Sequence, residues 1–203
     1  GIQHVHAARH TGVKGMDGSQ HLQRLFRVGD GRADERGFIR PARPQRLRPL
    51  LVGDVSGKGV PAALFMTVSR TLIKNAVMHR PDPVAALEEG NAQILPENEM
   101  CMFVTIFCAM YEVDKGRLTY SSAGHPAPLL RRADGTVEPI PVSGGMAVGV
   151  FDQMGLTKGE INLEPGDTIL VFTDGLDEAV NAKDEQFGLQ RAKDWLGLER
   201  GPL

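Results

Sequence analysis

Two aspartates at the ends of hydrophobic segments are the residues of this sequence best suited to chemistry. Asp54 follows Leu50-Leu51-Val52-Gly53, and Asp174 follows the hydrophobic run 168–172. Hard divalent cations prefer oxygen ligands, and one carboxylate can bridge two of them. If both segments are strands ending at one sheet edge, two carboxylates can lie side by side there, because bound cations neutralise the crowded charge. The pattern is typical of a two-metal hydrolase, whereas either Gly-Asp or Asp-Gly pair alone would indicate only a turn.

The glycine-rich loop around Asp54 does not fit a nucleotide-binding P-loop. A P-loop has four residues between its first glycine and its Gly-Lys pair, followed by a Ser or Thr that holds magnesium. In Gly53-Asp54-Val55-Ser56-Gly57-Lys58-Gly59 the first gap is one residue short and a glycine follows the lysine. The sequence therefore argues against an NTPase. The flexible glycines instead allow backbone carbonyls, such as that of Val55, to approach a cation.

Two further segments contain candidate site residues. In Thr173-Asp174-Gly175-Leu176-Asp177-Glu178, the last two acidic residues are expected in a first helical turn, where they complement the helix dipole. In Ser122-Ala123-Gly124-His125-Pro126, His125 can act as a proton donor to a leaving alkoxide. A histidine that is hydrogen-bonded within a tight turn is an equally good interpretation. Gly144, Gly145 and Gly149 are expected to have conformational roles in loops.

The hydrophobic pattern predicts alternating helical and antiparallel β segments. After the Asp54 loop, a helix with Pro61 in its first turn is predicted, with one apolar stripe formed by Leu64, Val68, Leu72 and Ala76. Asp82 is predicted to cap a second helix that has Pro83 at its first position. A β-rich run over 102–113 is expected to return antiparallel through a turn at Asp114-Lys115-Gly116.

The remaining segments complete the predicted fold class. Strands are predicted at 127–131, 137–140, 160–163 and 168–172, followed by helices from Leu176 and near 189–196. Two helices, an antiparallel meander and terminal helices indicate α+β layers, not a parallel βαβ sheet. The 203-residue length fits one domain.

The first 48 residues differ from the rest of the chain. Arginine recurs there, apolar residues are few and no helical or strand period persists, so residues 1–48 are predicted to be disordered, a solvated arm or a non-homologous segment. Few aromatic residues, Phe26 and Phe38, interleave with the arginines, and the formal net charge is -2, so nucleic-acid binding is not expected. His4, His6 and His10 have a loose metal-ligand spacing, but a flexible end explains them better.

Cysteine usage and hydropathy suggest the compartment. Cys101 and Cys108 lie in one apolar run at an odd separation, so in a strand they would point to opposite faces and not pair. Free buried thiols suit a reducing compartment. Neither a bilayer-spanning run nor a signal peptide is apparent, so we expect a cytoplasmic protein without direct membrane insertion.

Three segments in this order resemble the bacterial metal-dependent (PP2C-like) serine/threonine phosphatases of the stage-II-sporulation-E, sigma-factor-regulator type. They are LLVGDVSGKGVPAALFM at 50–66, FVTIFCAMYEVDKGRLTYSSAGHPAPLLRR at 103–132 and LEPGDTILVFTDGLDEAVNAKDEQFG at 163–188. The resemblance implies an antiparallel β-sandwich flanked by helices over residues 49–203. It also implies two Mn²⁺ or Mg²⁺ ions held by Asp54, the Val55 carbonyl and Asp174, with Gly53, His125 and Gly175 adjacent. A metal-activated water would hydrolyse phosphoserine or phosphothreonine.

The resemblance also suggests partners. Members of the family dephosphorylate anti-sigma-factor antagonists, which are STAS-type proteins, and an upstream sensor domain is common.

Two elements of the family pattern are not found here: the Gly-Gly-Asp-x-x-Asp signature upstream of Asp54, and a final Asp-Asp-x-Thr strand, because the sequence stops at Gly201-Pro202-Leu203. A domain lacking its final strand is therefore expected. The alternative is a catalytically impaired PP2C-like binding or regulatory module.

Overall fold

The computed structural model describes residues 47–198 and the backbone of two short N-terminal segments, 5–7 and 24–27. The strands are β1 Val5–Ala7, β2 Arg24–Arg27, β3 Leu47–Val55, β4 Val104–Glu112, β5 Arg117–Ala123, β6 Leu129–Arg131, β7 Val137–Pro139, β8 Gly159–Asn162 and β9 Thr168–Val171. The helices are α1 Gly59–His79, α2 Pro83–Ile94, α3 Asp174–Asp177 and α4 Gly188–Leu198, with a short 3₁₀ turn at Leu95–Glu97.

The strands form two sheets. One has the order β2-β3-β4-β5-β8 with antiparallel neighbours throughout. The other has the order β1-β9-β6-β7, in which only the β1–β9 pair is parallel. This arrangement confirms the predicted α+β class with mainly antiparallel sheets.

Three hydrophobic clusters separate the layers. Phe107, Tyr120, Leu130 and Ile169 belong to a cluster that draws side chains from both sheets, so the sheets pack face to face. A second cluster joins α1 and α2 to the outer side of the five-stranded sheet. A third joins α4 to β6 and β7. The layer order is therefore helix, sheet, sheet, helix.

Local signals predicted several elements correctly. Asp82 caps α2, since its Oδ1 accepts hydrogen bonds from the backbone N–H groups of Val84 and Ala85, at 3.0 and 3.1 Å, and Pro83 is the first helical residue. The β4–β5 hairpin turns where predicted, with Glu112 paired to Arg117. Strands β6, β7 and β9 are one or two residues shorter than the predicted ranges, and β8 is shifted by one residue towards the N-terminus.

The predicted apolar stripe of α1 is wrong for Leu64 and Val68, but Ala76 is buried as predicted and Leu72 packs half-buried against the core. Leu64 and Val68 are 63% and 53% exposed, whereas Met66 and Ile73 are buried. The buried face follows the spacing Ala62, Met66, Ser69, Ile73, Ala76 and Val77. Both sets have a helical period, and packing against α2 and β3 selects the second one.

The two cysteines are free, as predicted, but only one is buried. Cys108 lies in β4 with no exposed surface, and burial raises the pKa of its thiol. Cys101 lies before β4 and is exposed, which corrects the expectation of two buried thiols. Among the helices of the described ranges, none is long and apolar enough to cross a membrane.

Two backbone segments of the arginine-rich region contribute strands. Val5–Ala7 pairs with Ile169–Val171, and Arg24–Arg27 pairs with Leu50–Gly53. Residues 47 and 48 begin β3, and the remainder of that region, including His4 and His10, lies outside the described residues, as does the chain end at 199–203. The expectation for residues 1–48 as a separate segment stays a prediction.

Candidate active site

Asp54 and Val55 are the last two residues of β3. They lie opposite Thr105 and Val104 in the antiparallel ladder with β4. The hydrophobic pattern predicts a short strand from Leu50 that ends at Gly53-Asp54, whereas β3 begins at Leu47 and pairs with β4 through Val55. The Asp54 side chain is half-buried, and Val55 is buried. This end of β3 therefore presents a carboxylate where the sheet meets the loop into α1.

That loop is tied to the residue before β4. The Ser56 N–H donates to the Phe103 carbonyl at 2.8 Å, and the Phe103 N–H donates to Ser56 Oγ at 2.9 Å. Gly53 allows a close approach in the same place, since a Cβ there would lie 2.9 Å from the Thr105 carbonyl oxygen. The backbone around Asp54 is thus held from both sides.

Asp174 is the first residue of α3, directly after β9 and Thr173. Its Oδ1 is buried and has no hydrogen-bond partner among the described residues, and the same holds for Oδ1 of Asp177 one turn later. Glu178 is exposed at the end of the helix. The expectation of a first-turn position is confirmed for Asp177, whereas Glu178 is the C-cap of this four-residue helix.

His125 lies in the loop after β5 and is only 4% exposed. Its Nδ1 is 3.0 Å from Thr105 Oγ1, and its Nε2 is buried without a hydrogen-bond partner in the described part of the chain. Burial lowers its pKa to about 4, although the Phe172 carbonyl and the Asp174 carboxylate favour the protonated form. A ring that is neutral near pH 7 lacks the extra proton of an imidazolium acid, so the interpretation of His125 as a hydrogen-bonded turn residue fits better.

Thr105 lies between Asp54 and His125, whereas the link from His125 to Asp174 is electrostatic only. Thr105 lies opposite Asp54 in the sheet and contacts His125. His125 in turn interacts electrostatically with Asp174. Sequence reasoning missed Thr105, because only the β3–β4 register reveals that it lies beside Asp54.

The oxygen atoms of Asp54, Val55 and Asp174 are of the chemical type that a hard divalent cation prefers as ligands. A buried carboxylate oxygen without a partner, as at Asp174, is costly unless a cation or donor satisfies it. The described ranges contain no group of three or more His, Cys, Asp and Glu side chains that could hold a metal ion. Among the described residues, therefore, His, Cys, Asp and Glu side chains do not form a complete set of metal ligands.

Comparison of the sequence with protein-family models shows to which family the chain belongs. Residues 45–200 match the family model of stage II sporulation protein E (SpoIIE), which is most of the chain. The chain belongs to the SpoIIE family. The resemblance inferred from three sequence segments is thereby confirmed.

Relatives and solved structures agree with membership of the SpoIIE family. The chain is 34% identical over 134 residues to the phosphoserine phosphatase RsbU of Bacillus subtilis, an alignment that covers 64% of this chain and 38% of RsbU. The SiaA-PP2C domain of Pseudomonas aeruginosa is 26% identical with a TM-score of 0.63, covering 73% of this chain and 60% of that one. RsbX in complex with magnesium shares the fold at 18% identity and a TM-score of 0.54, covering 76% and 74%. These PP2C-domain likenesses confirm the predicted PP2C-like fold, and the chain spans well under half of the length of RsbU.

The buried His125 predicts a pH dependence of stability in this SpoIIE-family domain. Its folded pKa of about 4 lies below the ordinary value of 6.5, so the unfolded state binds more protons between these values. The neutral His125 ring therefore contributes about 3 kcal/mol to the free energy of unfolding. This contribution is fully present above pH 6.5 and is lost as the pH falls towards 4. Urea unfolding in EDTA at pH 7 and pH 5 should show a loss of about 2 kcal/mol, because pH 5 lies within the range between the two pKa values.

Two variants separate His125 from other titrating groups. His125→Asn should flatten the pH dependence of the free energy of unfolding in this window. His79→Asn, at an exposed histidine of α1, should leave it unchanged. Equal slopes for the wild type and His125→Asn would contradict a buried neutral imidazole.

Proposed function

We propose that this chain is a metal-dependent protein serine/threonine phosphatase domain. The observations that support the proposal most directly are the Thr105–His125 hydrogen bond opposite Asp54 and the electrostatic attraction between His125 and Asp174. They favour a common region for the two aspartates that the family pattern makes metal ligands. The unpartnered, buried Oδ1 of Asp174 adds an acceptor that a cation would satisfy.

In this proposal the ligands are the Asp54 carboxylate, the Val55 carbonyl and the Asp174 carboxylate. Gly53 and Gly175 flank the two aspartates and leave room for backbone approach. Two Mn²⁺ or Mg²⁺ ions, when bound, would supply charge neutralisation and a water of lowered pKa for attack on a phosphate ester. Hard oxygen donors suit both cations.

The protein residues then have distinct tasks. Asp54 and Asp174 bind and balance positive charge, and the Ser56–Phe103 pair holds the Asp54 loop in place. His125 is a buried ring hydrogen-bonded to Thr105 and does not donate a proton from a charged form. Substrate phosphate would enter from the solvent side of the half-buried Asp54.

The proposed substrate is a phosphoserine or phosphothreonine on a regulatory protein, namely a phosphorylated STAS-type anti-sigma-factor antagonist. The relative RsbU, named a phosphoserine phosphatase, supports the serine chemistry. We further propose that the domain acts in the cytoplasm, in sigma-factor regulation, under an upstream sensor domain.

The direct test measures phosphate release from a phosphoserine-containing STAS-domain protein. We expect release to depend on added Mn²⁺, to stop in excess EDTA and to return when Mn²⁺ is restored. A free phosphoserine substrate serves as a comparison for protein recognition. Release that continues unchanged in excess chelator would contradict the metal-dependent mechanism.

A further inference from the structure

One face of α1 is apolar and exposed, although another face of the same helix packs into the core. Val60, Leu64 and Val68 are 71%, 63% and 53% exposed. Their spacing places them on one side of the helix, over about 12 Å of its length. None of the three belongs to a hydrophobic cluster of the described residues, whereas Met66 and Ile73 do. The fold therefore does not require these three side chains to be apolar.

This exposed face starts next to the proposed metal site. α1 begins at Gly59, directly after the loop that follows Asp54 at the end of β3. Phe103, whose backbone is hydrogen-bonded to Ser56 in that loop, is also partly exposed. A substrate protein is much larger than the site. A phosphorylated residue bound at the site would therefore bring neighbouring parts of its own protein against the start of α1.

The charges around the exposed face suit an anionic partner. The α1 segment 59–79 contains no Asp or Glu, and Lys58 precedes the face at the start of the helix. Lys74 follows Val60 by about four helical turns, so it lies on the same side of α1. Both lysines are exposed, and neither takes part in an ion pair within the described part of the chain. A phosphoprotein adds about two negative charges at its phosphate, which these lysines attract.

We propose that the exposed apolar face of α1, formed by Val60, Leu64 and Val68, is the docking surface for the phosphoprotein substrate. The proposal rests on the proposed function, because it names where the substrate protein contacts the phosphatase domain. Apolar side chains surrounded by charged ones have the composition of a protein–protein interface, with an apolar centre and a polar rim. A small phosphate ester does not extend to this face, so the face contributes to recognition of the protein and not to the chemistry.

The experiment measures kcat/KM of Leu64→Glu in the full chain, with Mn²⁺ present, for two phosphate esters. A phosphoserine-containing STAS-domain protein tests docking, and p-nitrophenyl phosphate tests the metal site alone. We expect the phosphoprotein value to fall by about 10-fold, the effect of losing one apolar side chain from the centre of an interface. The value for p-nitrophenyl phosphate should stay at the wild-type level, because Leu64 lies outside the proposed ligand set.

Leu189→Glu is the matched control. It places the same charge on an exposed leucine of α4, which belongs to the helix layer on the other side of the two sheets. This variant should match the wild type with both substrates. Should Leu64→Glu change the circular dichroism spectrum, Val68→Glu on the same face replaces it with the same expectations.

The remaining outcomes would overturn the docking surface in distinguishable ways. Wild-type kinetics of Leu64→Glu with the phosphoprotein would refute the docking surface and leave the proposed function intact. Equal losses with both substrates would refute it too, because the substitution would then act on the site. A wild-type dimer that Leu64→Glu dissociates in sedimentation would show that a second copy of the chain covers the face. If the wild type releases phosphate from neither substrate, the proposed function fails and the docking surface fails with it.

Discussion

Asp54→Asn is expected to lower metal-dependent phosphate release by roughly 100-fold or more, the scale of losing one preorganised charged group at a reacting centre. The substitution keeps the size of the side chain at the end of β3 and removes its negative charge. Without that charge, the site balances less positive charge, and Mn²⁺ affinity should fall with activity. Calorimetry and phosphate release on the same preparation measure both effects.

The matched control is Asp114→Asn. Asp114 is an exposed aspartate in the β4–β5 turn, outside the proposed site. The Asp114→Asn substitution should leave both Mn²⁺ affinity and activity at the wild-type level. Full activity in Asp54→Asn would remove Asp54 from the proposed ligand set, whatever the behaviour of the control.

Gly145→Ala is expected to destabilise the domain by about 3 kcal/mol, at the upper end for overpacking. A Cβ at Gly145 would overlap the Ser122 carbonyl oxygen and lie 2.5 Å from Leu156 Cδ2. Gly145 forms an isolated bridge with Ala123, so the backbone cannot withdraw without losing this contact. The melting temperature should fall by roughly 6–12 °C.

Gly144→Ala provides a neighbouring control for this stability effect. A Cβ at Gly144 would meet no atom within 4 Å, so the same substitution one residue earlier should change the melting temperature little. Similar losses in the two variants would show that loop flexibility, and not the close approach to Ser122, explains the result. The sequence predicted conformational roles for both glycines, but only Gly145 has a crowded environment.

Elements with local signals could be predicted from the sequence. The Asp82 cap followed by Pro83, and the Asp114-Lys115-Gly116 turn, depend on a few adjacent residues and are found where expected. The buried face of α1 could not be predicted, because Leu64 and Val68 compete with Met66 and Ile73 at the same helical period. Contacts with α2 and β3 decide between them.

The residues of the candidate site also differ in whether the sequence alone could predict them. Asp54 and Asp174 could be selected because each follows a hydrophobic segment next to a glycine. Thr105 could not, since its proximity to Asp54 requires the strand register. The neutral state of His125 could not be predicted either, because it results from burial between distant segments.

The difference in exposure between the two cysteines allows selective labelling of one of them. A maleimide probe needs an accessible thiolate, which Cys101 can provide, whereas Cys108 lies in β4 without exposed surface. Cys101 is two residues before Phe103, whose backbone is hydrogen-bonded to Ser56 next to the Asp54 loop. A fluorophore attached there, without any mutation, is expected to report on changes in the Asp54 loop during a metal titration.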